Sequence, residues 1–303
     1  MLPYLIRHHE IGHYSGYRTT VHAEYFYELI SEDDLVKLSE IYAFAQSTDL
    51  PLLIIGWGMN LLFSSPYFSA VVVKNSLSGW SYDSEKKLLT TSSNELIWDI
   101  AERLEWERDQ PLWHRFIGLP GSIGWAIYGN AGCFGLDIEN HLSSARIYDM
   151  SSGKIEIYTG ADMHFDYRHS VLKSWPELFI VDAIFDLSVK RERYHSDVDN
   201  IDFRENRQPK GNSCGSFWKN PSREVSAGSL IERVGLKGYR HGGARWSELH
   251  ANFLLSDGES CPPSDLIELV RLTHDKVKRE TSYDLVNEVQ IIWDISREDK
   301  IHK

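Results

Sequence analysis

The hydrophobic and polar positions of the chain predict helices and strands in alternation. Ser31 and Asp34 form a variant of the capping box, and the apolar residues that follow recur on one helical face at Leu35, Leu38, Ile41 and Ala45. A second amphipathic helix is predicted where apolar residues recur between 96 and 104. A buried strand is predicted at 51–56 and further strands at 70–75 and 178–189, with a hairpin over 147–158 that turns at Ser152-Gly153.

A charged stretch after residue 189 interrupts this pattern and indicates a domain boundary near 190–205. Beyond it, the pattern predicts a helix from about Ser229, a strand at 251–257, a helix from Ser264 to about Lys278 and a last strand at 285–293. A chain of 303 residues without an internal repeat is long enough for two domains.

The composition excludes several classes of protein. No apolar run approaches the length of a membrane span, and the N-terminus lacks the basic-then-apolar order of a signal peptide, so we expect a soluble cytoplasmic protein without membrane insertion. The net charge of −12 argues against general nucleic-acid binding. Three cysteines without CxxC spacing predict neither a disulfide scaffold nor a metal site.

One segment carries the opposite charge. Residues 204–245 contain nine Lys and Arg against three acidic residues. This surplus is explained either by a solvated face or by a pocket for a small anionic ligand.

Two glycine-rich segments are interpreted as turns and are candidates for binding a phosphate group. The first, Gly56-Trp57-Gly58-Met59-Asn60, directly follows the predicted strand 51–56, and its backbone N–H groups can form a concave nest for an anion such as pyrophosphate. It lacks the GxGxxG spacing of the dinucleotide-binding fingerprint. The second, GLPGSIGWAIYGNAG at 118–132, can approach the same elongated ligand from another side. A flavin dinucleotide has that shape.

Five motifs together resemble those of the UDP-N-acetylenolpyruvoylglucosamine reductase family. In order along the chain they are GLPGSIGWAIYGNAG, YRHS at 167–170, GSFWKNP at 215–221, AGSLIERVGLKGYRHGGARWSELHANFLL at 227–255 and NEV at 287–289. The resemblance runs from about residue 50 to 293, and its C-terminal half is too specific to be accidental.

The resemblance implies a fold, a reaction and a domain division. The fold is α+β, with a two-lobed FAD-binding region of the PCMH type at 1–195, in lobes of about 1–75 and 76–195, and a substrate-binding domain at 196–303. The implied reaction reduces UDP-N-acetylglucosamine enolpyruvate to UDP-N-acetylmuramate for peptidoglycan synthesis, with non-covalent FAD as cofactor and NADPH as co-substrate. The oligomeric state is not implied.

The matched motifs also imply roles for individual residues. Arg168 pairs with the carboxylate of the substrate, Ser216 donates the proton, and Glu288 assists the acid chemistry or orients the substrate. Tyr167, Lys219 and Asn220 are expected to contact the substrate. The cofactor is expected to contact Gly56, Trp57, Gly58, Met59, Asn60, Gly121, Ser122, Gly124, Asn130, Ala131 and Gly132.

Several residues depart from the family pattern on the flavin side. Where the family has Gly-Gly-Gly-Ser-Asn, this chain has Trp57 in place of a glycine and Met59 in place of the serine. Trp125 takes the place of a second glycine after Gly124. An early Gly-Gly-Pro-Ala motif has no counterpart, and VHAEYF at 21–26 takes about its place. We expect the turns to tolerate both tryptophans because the side chains point away from the ligand. Two alternatives remain: a catalytically silent UDP-sugar or flavin-binding homologue, and a flavin-dependent oxidase on a related scaffold.

Overall fold

The computed structural model describes residues 2–188 and 200–294, which form strands and helices in a mixed order. The strands are β1 (Ile6–Glu10), β2 (His22–Leu29), β3 (Leu52–Ile55), β4 (Leu61–Phe63), β5 (Tyr67–Asn75), β6 (Trp80–Asp83), β7 (Leu88–Ser92), β8 (Gly132–Cys133), β9 (Leu136–Asp137), β10 (Leu142–Asp149), β11 (Lys154–Thr159), β12 (Leu178–Asp186), β13 (Arg240–His241), β14 (Ala244–Trp246), β15 (Leu254–Ser256) and β16 (Gln290–Ile292). The helices are α1 (Leu35–Thr48), α2 (Ile97–Arg108), α3 (Ile123–Gly129), α4 (Asn200–Arg207), α5 (Ala227–Arg233) and α6 (Pro263–Thr281).

The chain divides into two units that are not contiguous in sequence. The first unit comprises the residues up to Leu5, Tyr27–Gly56 and Val71–Arg204, and the second comprises Ile6–Phe26, Trp57–Ala70 and the residues from Glu205 onward. The predicted boundary near 190–205 includes residues 190–199, which lie outside the described residues. The division at 195 into a flavin region and a substrate domain stays a prediction.

The first unit contains a five-stranded antiparallel sheet with the strand order β11-β10-β12-β7-β6. The hairpin predicted over 147–158 is confirmed, because β10 pairs with β11 and the chain turns between them. Strands β3 and β5 pair in parallel in this unit, with Ile55 opposite Lys74. The predicted buried strand at 51–56 is only half-buried at Leu52–Ile54, which corrects that part of the prediction.

Two helices of the first unit follow the predicted pattern. The capping box at Ser31 and Asp34 is present, and α1 buries Leu35, Leu38, Ile41 and Ala45. Helix α2 likewise buries Ile97, Ile100, Ala101 and Leu104, while Leu96 of the predicted face is its N-cap and is only partly buried. A third helix, α3, lies within the glycine-rich segment that was interpreted as turns. The Ser122 side chain caps it, and Ile123, Ala126 and Ile127 are buried at helical spacing.

The second unit combines small sheets with two helices. Strands β13, β14 and β15 form an antiparallel sheet, and β16 pairs in parallel with β4. The helix predicted from Ser229 begins two residues earlier, because Ser226 is its N-cap. The predicted strands at 251–257 and 285–293 shorten to β15 and β16.

Each unit has its own hydrophobic core. In the first unit, fully buried Trp113, Phe116 and Phe185 pack edge to face at the centre of the core that lies on the five-stranded sheet. In the second unit, fully buried Phe217 and Trp246 pack edge to face, and helix α6 contributes Leu266, Leu269 and Val277 to the same core. Both helices and strands build these cores, in agreement with the predicted α+β class.

Candidate active site

In the first unit, Gly56 at the end of β3 meets the start of α3. A Cβ added at Gly56 would lie 2.9 Å from the Ser122 hydroxyl oxygen and 3.1 Å from Cδ1 of Trp125. Glycine therefore allows a close approach between the first glycine turn and the second. The indole of Trp125 lies against Gly56 and packs edge to face on Tyr128 at 5.0 Å. The two segments predicted to share one ligand thus meet at this point.

The segment 93–97 supports the second glycine turn from the side of β7. Gly124 donates a backbone hydrogen bond of 2.6 Å to the carbonyl of Ser93, and Ile123 donates one of 2.9 Å to the carbonyl of Glu95. The Ser122 hydroxyl accepts from the Trp125 amide at 3.5 Å and is buried. Backbone pairing therefore fixes the residues 121–124 that were expected to contact the cofactor.

Arg168 lies at the other end of this glycine-rich segment. Its guanidinium donates to the carbonyl of Asn130 at 3.4 Å and to the carbonyl of Gly132 at 2.9 Å. Asn130 and Arg168 both adopt a left-handed backbone conformation, with φ of 44° and 56°. The Asn130 side chain donates to the carbonyl of Asp166 at 3.1 Å, which ties the two segments together. A predicted catalytic residue is thus held by predicted cofactor residues.

Two further predicted residues of this unit have different surroundings. Tyr167 is 63% exposed, and its ring centroid lies 5.1 Å from the Arg168 guanidinium carbon, within range of a cation–π contact. Ala131 is partly buried, and its amide and carbonyl bond to Ala126 and Ile138. The backbone polar groups of Ala131 therefore hold the end of α3.

The remaining residues of the first glycine turn lie in the second unit. Gly58 has a φ of +62°, and a Cβ there would overlap the Tyr14 carbonyl oxygen, so this position requires glycine. Trp57 is 42% exposed, and Met59 is partly buried. The Asn60 side chain donates to the carbonyl of Glu288 at 3.1 Å. Asn60 was expected to contact the cofactor, and its amide also holds the segment that carries Glu288.

Ser216 and Glu288 are brought together by backbone pairing. The amide of Glu288 donates a 2.8 Å hydrogen bond to the carbonyl of Phe217, the residue after Ser216. Ser216 itself forms a bridge with Phe253. Both side chains are partly exposed. Among residues 2–188 and 200–294, the Ser216 hydroxyl has no hydrogen-bond partner, so its proton is available to a ligand.

Two motif residues after Ser216, Lys219 and Asn220, are held by hydrogen bonds, one through a backbone amide and one through a side-chain amide. Lys219 donates its amide to the Val286 carbonyl at 2.8 Å. The Asn220 side-chain oxygen accepts from the Ala227 amide at 3.0 Å, at the start of α5. The side-chain oxygen of Asn220 is therefore used within the fold, and the predicted substrate contact would be made by its side-chain N–H groups.

Asn252 is a positioning residue that the sequence interpretation missed. It is buried and makes two side-chain hydrogen bonds to the backbone of Trp218, of 2.9 and 2.8 Å, while its own carbonyl accepts from Phe217 at 2.8 Å. These bonds hold the strand-like segment that starts at Ser216. A buried amide inside the apolar run ANFLL was the available signal.

The basic segment 204–245 is partly neutralised within its own unit. Arg240 and Arg245 both pair with Asp257 at 2.5 Å, and Lys237 pairs with Glu232 at 3.0 Å. Within the described part of the chain no carboxylate pairs with Lys219, so it stays available to an anionic ligand. Three of the basic side chains are therefore paired with carboxylates of the same unit, and Lys219 is not paired with any described carboxylate.

The cysteines show no activation. Burial raises the pKa of the Cys214 thiol to about 12, although hydrogen bonds with Leu61 and Gly16 act in the opposite direction. Burial also raises the pKa of Cys133. Over the described ranges, no group of three His, Cys, Asp or Glu side chains is arranged to hold a metal ion. Nor do these ranges contain a helix with the length and apolarity of a membrane span.

Comparison with known proteins places these residues in a family. The family model of the UDP-N-acetylenolpyruvoylglucosamine reductase C-terminal domain matches residues 207–292. The reductase of Bacillus velezensis is 32% identical over 267 residues, which cover 87% of each chain. The chain belongs to the UDP-N-acetylenolpyruvoylglucosamine reductase family. The reductase of Bacillus pumilus is 35% identical over 79% of this chain and 78% of its own.

The fold agrees with this family. The crystal structure of UDP-N-acetylenolpyruvylglucosamine reductase from Thermus caldophilus superposes with a TM-score of 0.74 at 25% identity, over 95% of this chain and 98% of the other. The predicted family, α+β fold and oxidoreductase class are confirmed. Membership of the UDP-N-acetylenolpyruvoylglucosamine reductase family implies a flavin cofactor.

The glycine turn of the first unit fits such a group. Gly121 has a φ of +120°, and a Cβ there would meet no atom within 4 Å, so the turn exposes its backbone at this position. The neighbouring turn residues carry no charged side chain that would repel a diphosphate. The residues of this unit predicted to hold the flavin remain Gly56, Gly121, Ser122, Gly124, Asn130, Ala131 and Gly132.

Proposed function

We propose that Ser216, Glu288 and Arg168 perform the reduction of UDP-N-acetylglucosamine enolpyruvate to UDP-N-acetylmuramate, with NADPH as co-substrate. The observation that carries this proposal is the pairing of Glu288 with the carbonyl next to Ser216, at 2.8 Å. It holds a hydroxyl and a carboxylate on adjacent segments. When bound, FAD supplies the hydride for the enolpyruvyl double bond and takes it in turn from NADPH.

Ser216 donates the proton in this scheme. Its Oγ–H is partly exposed and has no partner among the described residues, so it can face the carbon that receives the proton. A hydroxyl is a weak acid, and it donates to carbon only where negative charge has developed. Glu288 assists the acid chemistry or orients the substrate from the adjacent segment.

Arg168 pairs with the carboxylate of the enolpyruvyl group. Two backbone carbonyls, those of Asn130 and Gly132, already orient its guanidinium, a planar group whose geometry suits a carboxylate. A guanidinium held before the substrate arrives does not need to reorganise during the reaction. Tyr167, Lys219 and Asn220 contribute substrate contacts, with Lys219 supplying a positive charge for the UDP diphosphate.

The non-covalent FAD contacts the glycine turns. We assign these contacts to the turn residues of the first unit, together with Trp57, Gly58, Met59 and Asn60 of the second. The small-molecule UDP-sugar and NADPH are the proposed partners, in the cytoplasm. The net charge of −12 supports the absence of nucleic acid among the partners.

Turnover with the purified full-length chain tests this proposal. We expect a yellow protein that releases flavin on denaturation and converts the enolpyruvyl substrate to a product heavier by two hydrogens, with one NADPH oxidised for each. A silent homologue would bind flavin or UDP-sugar and form no product. An oxidase would consume oxygen with no reduction of the enolpyruvyl group. Either result would refute the proposed reaction.

A further inference from the structure

Lys74 is a buried lysine that the proposed reaction does not use. It lies on β5 and is only 6% exposed. Its ammonium donates to the backbone carbonyl of Asn75 and to the side-chain oxygen of Asn94, the latter at 3.3 Å. Lysine is rarely buried in proteins, because removing its charge from water is costly. Its place in the interior therefore needs an explanation.

Lys74 is linked by strand pairing and hydrogen bonds to the point where the two glycine segments of the first unit meet. In the parallel pairing of β3 with β5 it stands opposite Ile55, the residue before Gly56. On its other side, Asn94 belongs to the segment 93–97 whose backbone carbonyls hold the turn 121–124. The Asn75 side chain donates to the Ser93 hydroxyl at 2.8 Å, and Ser93 accepts from Gly124. A chain of hydrogen bonds thus links Lys74 to the turn.

The pKa of the Lys74 ammonium lies close to neutral pH. Burial lowers the pKa of its ammonium to about 8, while the carboxylate of Glu28 on β2 acts in the opposite direction. The Glu28 carboxylate accepts a hydrogen bond from Ser76 at 2.7 Å. Glu95, on the supporting segment, accepts from the Gly79 amide at 2.5 Å. An anion bound to the turn 121–124 would favour the charged form of Lys74.

We propose that Lys74 is a positioning residue for FAD, which holds the segment 93–97 under the turn 121–124 and favours, through its positive charge, the binding of the flavin diphosphate. This inference rests on the proposed binding of FAD by the glycine turns. The glycine turns carry no charged side chain, so the buried Lys74 supplies the positive charge that attracts the diphosphate. In a poorly solvated site such a charge acts on an anion without touching it.

The proposal requires FAD affinity to depend on the protonation of Lys74. The bound diphosphate favours the ammonium form, so the pKa of Lys74 is higher in the complex than in the free protein. Affinity is then full below the pKa of the free protein and falls above it. One linked proton gives a limit of about tenfold in Kd for each pH unit above about pH 8.

The test is the FAD Kd of the flavin-stripped full-length chain, measured by flavin fluorescence from about pH 6.5 to about pH 9, a range that brackets the Lys74 pKa of about 8. The wild type should bind more weakly above about pH 8. Lys74→Met should bind roughly tenfold or more weakly at neutral pH and should lose most of the pH dependence. Lys154→Met, on the exposed strand β11, is the control and should match the wild type.

The outcomes separate the two proposals. If Lys74→Met binds more weakly but keeps the pH dependence of the wild type, its effect is only structural and the electrostatic role is wrong. A flat profile in the wild type, which needs no variant to fold, would also overturn it while the proposed reaction stands. Failure of the wild type to bind FAD at any pH would overturn the proposed function.

Discussion

The side-chain amide of Asn60 donates a 3.1 Å hydrogen bond to the backbone carbonyl of Glu288, across 228 positions of sequence. The pairing continues in the backbone, where the Gln290 amide donates to the Asn60 carbonyl at 2.9 Å. Asn60 closes the first glycine turn, and the Glu288 amide pairs with the carbonyl of Phe217, the residue after Ser216. One side chain therefore couples the position of a proposed flavin turn to the position of a proposed catalytic carboxylate.

Asn60→Ala should weaken this coupling. Loss of one partly buried hydrogen bond should lower the free energy of unfolding, measured in urea, by about 1 kcal/mol. Reoxidation of the reduced enzyme by substrate should also slow, because Glu288 is less well held. Asn212→Ala removes a side-chain hydrogen bond to Ser256 in the same unit and is the control for stability alone. Equal reoxidation rates in both variants would contradict the coupling.

Gly58→Ala should be among the most damaging glycine substitutions. The new Cβ would overlap the Tyr14 carbonyl oxygen in a left-handed backbone, so we expect a loss of about 3 kcal/mol or more in unfolding free energy. Gly129→Ala is the matched control, since a Cβ there would meet no atom within 4 Å and the residue ends a helix. Similar urea midpoints for the two variants would show that the Gly58 turn is described wrongly.

The Asp34 carboxylate should make the stability of the first unit depend on acidity. Burial opposes its ionisation, but hydrogen bonds from Lys37, Tyr27 and two backbone amides outweigh this and lower its pKa to about 2. A carboxylate with a lowered pKa stabilises the fold above its unfolded pKa of about 3.9, and this contribution disappears as the pH falls towards 2.

Asp34→Asn should therefore cost about 1–2 kcal/mol of unfolding free energy at neutral pH and progressively less below about pH 4. Asp33→Asn, at the exposed neighbouring position, should change it by less than about 0.5 kcal/mol. Urea unfolding across this pH range measures both. If the difference in unfolding free energy between Asp34→Asn and the wild type stays constant down to about pH 2, the pKa of Asp34 is not lowered in the folded protein as described.

Trp57→Gly should change FAD affinity only modestly. The indole is 42% exposed, and the family pattern has glycine at this position, so the backbone rather than the side chain is expected to face the flavin. We expect a change within about 1–2 kcal/mol in binding free energy, from backbone entropy. Trp175→Gly, another exposed tryptophan, controls for the general effect. A change of several orders of magnitude in the FAD Kd would place the Trp57 side chain in the site.

Local signals account for what the sequence predicted well. Helix α1 follows from the capping box at Ser31 and the periodic apolar residues after it, because both act within a few residues of one another. Helix α3 was missed, because its glycines indicated turns. The Ser122 cap and the packing of α3 on β7 and β12 make this short segment helical.

Contacts between distant segments account for what was missed. The pairing of Glu288 with Phe217 and the clamp of Asn252 on Trp218 depend on how separate segments meet, which no local pattern specifies. The family motifs identified Ser216 and Arg168 as candidates. Only the fold shows that Arg168 is oriented by the carbonyls of Asn130 and Gly132, and that Asn220 helps to begin α5.

Stopped-flow measurement of the two half-reactions in Ser216→Ala tests most directly whether Ser216 donates the proton after hydride transfer. FAD binding and flavin reduction by NADPH should stay nearly normal, while reoxidation by the enolpyruvyl substrate should slow by about 10²–10⁴-fold. Ser222→Ala, in the same unit, should behave as wild type in both half-reactions. Arg168→Met and Glu288→Gln should impair the same oxidative step, with effects that do not add. Normal reoxidation in Ser216→Ala, or a defect confined to flavin reduction, would contradict the account.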